Sequence, residues 1–233
     1  MACINLLSYI PTGCQNIDKL LGGGVPSNKI CLIYGEAEIG KTTFVMQCAV
    51  NCARQGYKTL YMDCDNDFSV LRLKQITSKD FHQIAESIIL IKPKDFNEQS
   101  LFVDHLLDYI NQRTRLLIID TATSLYLNQL SEYPKKRFEL SRTLNRLMAQ
   151  IAQITKTEGL TVLVTSQIRS VFDDPFMDIE PVANRVLKFW ADIIIGLKHA
   201  EEPQILRAVL EKGLQKINVQ NYLKIDETGL HDY

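Results

Sequence analysis

The segment Gly35-Glu36-Ala37-Glu38-Ile39-Gly40-Lys41-Thr42 has the residue types and spacing needed to hold phosphate. Its two glycines allow the backbone to curl so that successive N–H groups and a following helix N-terminus face an anion. Lys41 adds a mobile positive charge for the β- and γ-phosphates of a nucleoside triphosphate. Thr42 offers a hydroxyl to a hard cation such as Mg²⁺. The spacing is that of the phosphate-cradling pattern G-x-x-x-x-G-K-[ST], and Thr43 continues it into the helix. ATP with Mg²⁺ is the expected ligand pair.

A triphosphate site that hydrolyses also needs a carboxylate on the metal side and a group to orient water. Leu116-Leu117-Ile118-Ile119-Asp120 is an apolar run ending in an acid. On a buried strand beside the phosphate-loop strand, Asp120 would stand at the carboxyl edge and hold Mg²⁺ through water. Thr121 follows it, so the second carboxylate must come from elsewhere. Asp63, Asp65 and Asp67 lie close together after another apolar run, and Asp65 is the candidate base. The competing reading makes it a helix cap or a solvated acid.

These residues need a scaffold that presents strand ends side by side. Apolar runs of strand length fall at Lys29–Tyr34, Lys58–Asp63, Ile88–Lys92, Arg115–Asp120, Leu160–Ser166 and Asp192–Leu197. Helical periodicity separates them, over Lys41–Gln55, Ser69–Gln75, Glu98–Gln112 and Arg137–Thr157. That alternation predicts an α/β fold with a mostly parallel central sheet and helices on both faces. Ile205–Lys212 and Asn221–Asp226 read as an antiparallel C-terminal edge.

With 233 residues, one large domain (1–233) is expected, and 46% hydrophobic against 23% charged residues excludes wholesale disorder. Twenty-six Lys and Arg against 27 Asp and Glu give a net charge of −1, so any nucleic-acid contact must come from a local patch. The apolar runs are too short for membrane spans, and the N-terminus carries no secretory signature, which makes a cytoplasmic location the expectation. The six cysteines form no Cys-x-x-Cys pair and read as small buried hydrophobes.

Read together, several segments resemble the ATPase core of the RecA/RadA recombinase family. Pro11-Thr12-Gly13, Ile17-Asp18, Gly22-Gly23-Gly24-Val25-Pro26 and Ile33-Tyr34-Gly35-Glu36 are similar to its opening. Tyr61-Met62-Asp63-Cys64-Asp65 stands where the family has a strand ending in its catalytic glutamate. Val164-Thr165-Ser166-Gln167 resembles the strand whose terminal glutamine senses the γ-phosphate. Phe189 to Asp192 resemble the family's following aromatic-containing segment, and Leu223 to Leu230 its last strand and closing turn. The resemblance implies a RecA-like P-loop NTPase core, Gln167 as a catalytic residue, and Arg72 as a cation stacking on adenine. For Arg72 the competing reading is a solvated helix arginine. A core of this size, starting directly at these motifs with no room for a preceding helical DNA-binding domain, resembles the archaeal RadB group of that family.

The departures matter as well. Asp65 replaces the family's glutamate, withdrawing the carboxylate by one methylene, so hydrolysis is expected to be slow. Glu38 and Ile39 occupy positions usually held by small residues; an acid there must turn outward, and a β-branched residue resists positive φ. For DNA, the stretch Tyr126–Phe138 carries Lys135, Lys136 and Arg137, and the next helix adds Arg142 and Arg146. These form either a basic ridge or a solvated face. The second loop, Ile168–Val182, carries Asp173, Asp174, Asp178 and Glu180 against Arg169, which would repel phosphate. The expectation is a weakly hydrolysing, ATP-binding accessory factor of DNA repair and homologous recombination, working on DNA or on a full-length recombinase of the RadA type. The alternatives are a KaiC-like signalling ATPase and a nucleotide-binding module with negligible turnover.

Overall fold

The structure, a computed structural model, describes residues 9–169, 180–181, 183–202, 204–213 and 218–233. A short ribbon of β1 (Tyr9–Ile10) and β2 (Val25–Pro26) brackets α1 (Gln15–Leu21). The main run is then β3 (Lys29–Gly35), α2 (Lys41–Arg54), β4 (Lys58–Asp63), α3 (Val70–Thr77), α4 (Phe81–Ala85) and β5 (Ile88–Ile91). It continues with α5 (Phe96–Asp104), α6 (Leu106–Tyr109), β6 (Thr114–Asp120), α7 (Ser124–Glu132), α8 (Arg137–Glu158) and β7 (Thr161–Ser166). After the two-residue strands β8 (Ile168–Arg169) and β9 (Glu180–Pro181), the chain forms α9 (Asn184–Trp190), β10 (Ile193–His199), β11 (Ile205–Lys212), β12 (Val219–Asp226) and β13 (Gly229–Asp232).

Nine strands make one sheet in the order β13-β12-β11-β10-β3-β7-β6-β4-β5. The six from β10 to β5 are parallel, and β11 to β13 extend the sheet antiparallel. This is the expected fold class. Strand side chains alternate between two buried faces, as period-two geometry requires. On one face Tyr34, Leu60, Met62, Leu117, Ile119 and Val164 meet Leu144, Leu147, Met148 and Ile151 of α8. On the other, Ile33, Tyr61, Ile118, Leu163 and Ile195 meet Phe44, Val45, Cys48 and Ala49 of α2. Cys14, Cys31, Cys48, Cys52 and Cys64 are free and buried, and burial pushes the Cys52 thiol up to about 12.

Two expectations need correction. The helix expected over Glu98–Gln112 starts earlier, because Asp95 caps it by accepting from the N–H groups of Asn97 and Glu98, both at 2.8 Å. It also breaks at His105 into α5 and α6. The stretch Tyr126–Phe138, read as a loop, is mostly helical. Leu125 and Tyr126 are buried, and Leu127 and Leu130 pack on the same core, so α7 has an apolar face that holds it to the sheet.

Candidate functional site

Four parallel strands end level at one edge of the sheet, where open α/β sheets place their ligands. Register pairs Asp63 of β4 with Asp120 of β6, and Tyr34 of β3 with Ser166 of β7. Beyond Tyr34 the chain turns through residues 36–40 into α2. Gly35 cannot carry a side chain here, since a Cβ would lie 2.5 Å from the Leu197 carbonyl oxygen. Gly40 has φ 95, and a Cβ there would meet Ile225 Cδ1 at 3.0 Å.

The loop accommodates both unusual residues. Positive φ falls on Glu38 (61°) and Gly40, not on the β-branched Ile39. Glu38 and Ala37 are exposed, so the acid faces solvent, while Ile39 is completely buried in the core under β3. The strain anticipated for Ile39 is therefore absent. No acid occupies the first turn of α2, which leaves its positive end to an anion.

Lys41 is buried, and its Nζ donates to the carbonyls of Gly35 (3.0 Å) and Glu36. Burial lowers its pKa, while the charges of Asp120, Asp65 and Glu36 work the other way. Glu36 also lies 3.8 Å from His199. Asp120 is 4% exposed and collects hydroxyl donors from the two neighbouring strands. Tyr61 Oη of β4 donates to Oδ2 at 2.7 Å, Thr165 Oγ1 of β7 donates to Oδ1, and the Thr42 hydroxyl of α2 lies close enough to the same carboxylate to lower its pKa. Burial nevertheless holds the Asp120 pKa above the usual carboxylate range, with Asp65 adding to the rise.

The three neighbouring acids separate by role. Asp63 is buried, accepts from the N–H groups of Asp67 (3.0 Å) and Phe68 (3.1 Å), and pairs with Lys92 at 3.2 Å. It is the turn's cap, and Ser69, accepting from Arg72 N–H at 3.2 Å, is the cap of α3. Asp67 is exposed. Asp65 is half-buried; burial first raises its pKa, and the nearby Ser124 hydroxyl works the other way. The Thr121 hydroxyl lies close enough to Asp65 to lower that pKa, yet it makes no hydrogen bond of good geometry. Asp63, not Asp65, therefore accepts the amides of this turn.

Arg72 is partly exposed, with its guanidinium engaged by the protein. Its Nη1 and Nη2 donate to the carbonyls of Glu227 (2.8 Å) and Asp226 (2.7 Å), and Nε lies 3.4 Å from Thr43 Oγ1. The cation is thus clamped between α2 and the β12–β13 turn, next to the phosphate loop. Gln167 is exposed one residue beyond the Tyr34–Ser166 pair, beside the start of that loop.

The candidate DNA contacts do not stay together. Lys135, Lys136 and Arg137 are exposed on a 3₁₀ turn (Pro134–Lys136) and the start of α8, with Arg142 exposed farther along. Tyr133 and Phe138 beside them are 50% and 77% exposed. Arg146 leaves the ridge: its Nη1 donates to Asp104 at 2.5 Å and to Gln150 at 2.8 Å, and Nη2 donates to Ser100 at 3.0 Å. A guanidinium so engaged offers little to phosphate. Asp173, Asp174 and Asp178 of the second loop lie outside the described residues.

Thr42 and Asp120 form an all-oxygen pair that fits a hard cation, which draws its other ligands from phosphate and water. Sequence reasoning missed Tyr61 and Thr165 around Asp120. The signal in hand was a single aromatic residue in the core strand Lys58–Asp63.

The Rad51 family model matches residues 5–232. The DNA repair and recombination protein RadB of Methanosphaera stadtmanae is 33% identical over 209 residues, covering 89% of this chain and 88% of that protein. The protein of the same name from Methanothermobacter thermautotrophicus is 32% identical over 212 residues, covering 89% and 88%. A solved structure described as the crystal structure of the RadB recombinase superposes with a TM-score of 0.81 at 25% identity, over 97% of this chain and all of that one. With the phosphate loop, the level strand ends and these relatives in agreement, the chain belongs to the Rad51 family.

Proposed function

We propose that this protein is a RadB-like repair and recombination factor, a single RecA-like core that binds ATP with Mg²⁺ and hydrolyses it slowly. The observation that carries the reading is the convergence of Lys41, Thr42, Asp120 and Asp65 at one sheet edge. In this reading, loop amides and the α2 N-terminus receive the phosphates, and Lys41 exchanges its two carbonyl partners for phosphate oxygens. Mg²⁺, when bound, supplies neutralising charge to the phosphates, and Thr42 and Asp120 are the residues to hold it. Asp65 orients the attacking water, and Gln167 stands beside the loop as the γ-phosphate sensor. The clamped Arg72 lies under the adenine.

The accessory role follows from the surface. The ridge of Lys135, Lys136, Arg137 and Arg142 supplies few phosphate contacts, which supports a modest DNA affinity alongside a partnership with a full-length recombinase. Neither the signalling ATPase nor the module without turnover is favoured by the family match.

Calorimetric titration of ATP tests the site. Replacing Lys41 by Ala removes a charged donor worth roughly 1.5–3 kcal/mol, so affinity should fall by about one to two orders of magnitude. Equal affinities for wild type and Lys41→Ala would refute the reading. For the partner, recovery of a full-length recombinase from native lysate in an ATP-dependent manner is the expected result.

A further inference from the structure

We propose that Tyr61 is a positioning residue that fixes the Asp120 carboxylate for magnesium-dependent nucleotide binding. The inference rests on the ATP–Mg²⁺ reading and goes beyond it. Tyr61 lies wholly inside the core, on the face packed against α2, with its ring edge-on to Phe68 at 4.9 Å. Packing there requires only the ring, and phenylalanine would fill the same space. A buried phenolic hydroxyl costs stability unless it finds a partner. Here the partner is Asp120 Oδ2 at 2.7 Å.

Asp120 sits on β6 between β4 and β7. Tyr61 reaches it from β4 and Thr165 reaches it from β7, one hydroxyl on each carboxylate oxygen. Two donors from opposite sides fix the carboxylate plane, while each oxygen keeps a further lone pair for the cation's water. The phenol is also held by packing, its buried ring lying edge-on to Phe68. Without it, Oδ2 is left unsatisfied in a buried site and the carboxylate is free to swing onto the Thr42 hydroxyl. That hydroxyl is the second group meant for the cation. Loss of Tyr61 Oη therefore disturbs both ligands while leaving the loop amides and Lys41 untouched.

The test separates magnesium from phosphate. Affinity for a fluorescent ATP analogue is measured in EDTA, and Mg²⁺ is then titrated at fixed nucleotide, for wild type, Tyr61→Phe and Thr165→Val. The expected result for Tyr61→Phe is an EDTA affinity within about twofold of wild type, with the Mg²⁺ midpoint raised by about tenfold or more, the usual cost of removing a group that orients a metal ligand. Thr165→Val should act in the same direction, and it carries the test if Tyr61→Phe does not fold. An unchanged midpoint, or a parallel loss of affinity with and without Mg²⁺ accompanied by a lower melting temperature, overturns the inference and leaves the ATP site standing. A wild-type affinity indifferent to Mg²⁺ overturns the parent reading as well.

Discussion

Gln47 and Leu230 exchange a pair of hydrogen bonds: Gln47 Nε2 donates to the Leu230 carbonyl, and Leu230 N–H donates to Gln47 Oε1, both at 2.9 Å. The amide side chain thus acts as an extra ladder partner for the outermost strand β13 and ties it to α2, the helix that opens at the phosphate loop. Gly13 and Gly229 crowd the same amide, since a Cβ at either position would lie 2.1 or 2.5 Å from a Gln47 side-chain atom. Together with the Arg72 clamp on the β12–β13 turn and the packing of Gly40 on Ile225, this sets the C-terminal hairpin against the phosphate-loop segment.

Replacing Gln47 by Leu should therefore destabilise the protein well beyond an ordinary surface change. It leaves one buried N–H and one buried carbonyl of Leu230 unpaired, at about 1–3 kcal/mol each. Urea unfolding should show a loss of roughly 2–5 kcal/mol with little change in slope. A loss below about 1 kcal/mol would mean that water satisfies the strand instead.

The residues that sequence could reveal are those whose chemistry is written locally. The phosphate loop and Asp120 stand out because spacing within a few residues specifies them. Among Asp63, Asp65 and Asp67, sequence alone could not say which was the cap; the answer depends on which carboxylate turns back onto the amides of Asp67 and Phe68. What stayed hidden depends on distant pairing. Tyr61 meets Asp120 across 59 positions, Arg146 meets Asp104 across 42, and Gln47 meets Leu230 across 183. No period or motif encodes such contacts, because each arises only once the sheet order is set. The family resemblance also misled at Tyr126–Phe138, where the apolar residues Leu125, Tyr126, Leu127 and Leu130 were sufficient to build α7.

Asp120→Asn should stabilise the nucleotide-free protein at neutral pH while removing its response to magnesium. Burial raises the Asp120 pKa, so in the window between the unfolded and folded values the native state binds more protons than the unfolded one. Stability from this group therefore falls as pH rises through that window, and the full cost is present above the folded pKa. Asparagine has no charge to bury. Melting curves should place the variant above wild type at pH 7, with the gap closing as pH drops below the unfolded carboxylate value. Addition of Mg²⁺ and ATP should raise the wild-type melting temperature and leave that of the variant unmoved by the metal. A variant less stable than wild type at neutral pH would show that the hydroxyl donors outweigh desolvation.

Asp65→Glu should speed turnover. The side chain at this position is half-buried beside Ser124 and Thr121 and one methylene short of the family's glutamate. A misplacement of about 1 Å can cost roughly a hundredfold, so recovering the reach should gain about tenfold or more in steady-state phosphate release. A rate that stays level or drops would place the water-orienting group elsewhere.

DNA affinity, finally, should depend on the three cations at the start of α8 and not on Arg146. Lys135, Lys136, Arg137 and Arg142 are exposed, whereas Arg146 is held by Asp104, Ser100 and Gln150. Each phosphate neutralised on a single strand contributes about −0.7 to the slope of log affinity against log salt, so four cations limit that slope to about −3. Changing Lys135, Lys136 and Arg137 together to Ala should leave a slope shallower than about −1 and remove most binding. Arg146→Ala should leave the slope as it was and cost only the 0.2–1 kcal/mol or so of a partly exposed ion pair. The flanking aromatics add a second criterion. With Phe138 exposed among the cations, Phe138→Ala should weaken single-strand binding by about 1–3 kcal/mol through lost base stacking, without changing the salt slope. If fluorescence anisotropy finds the triple variant binding as the parent does, the ridge is a solvated surface. The recombinase, rather than DNA, is then the partner through which this protein acts.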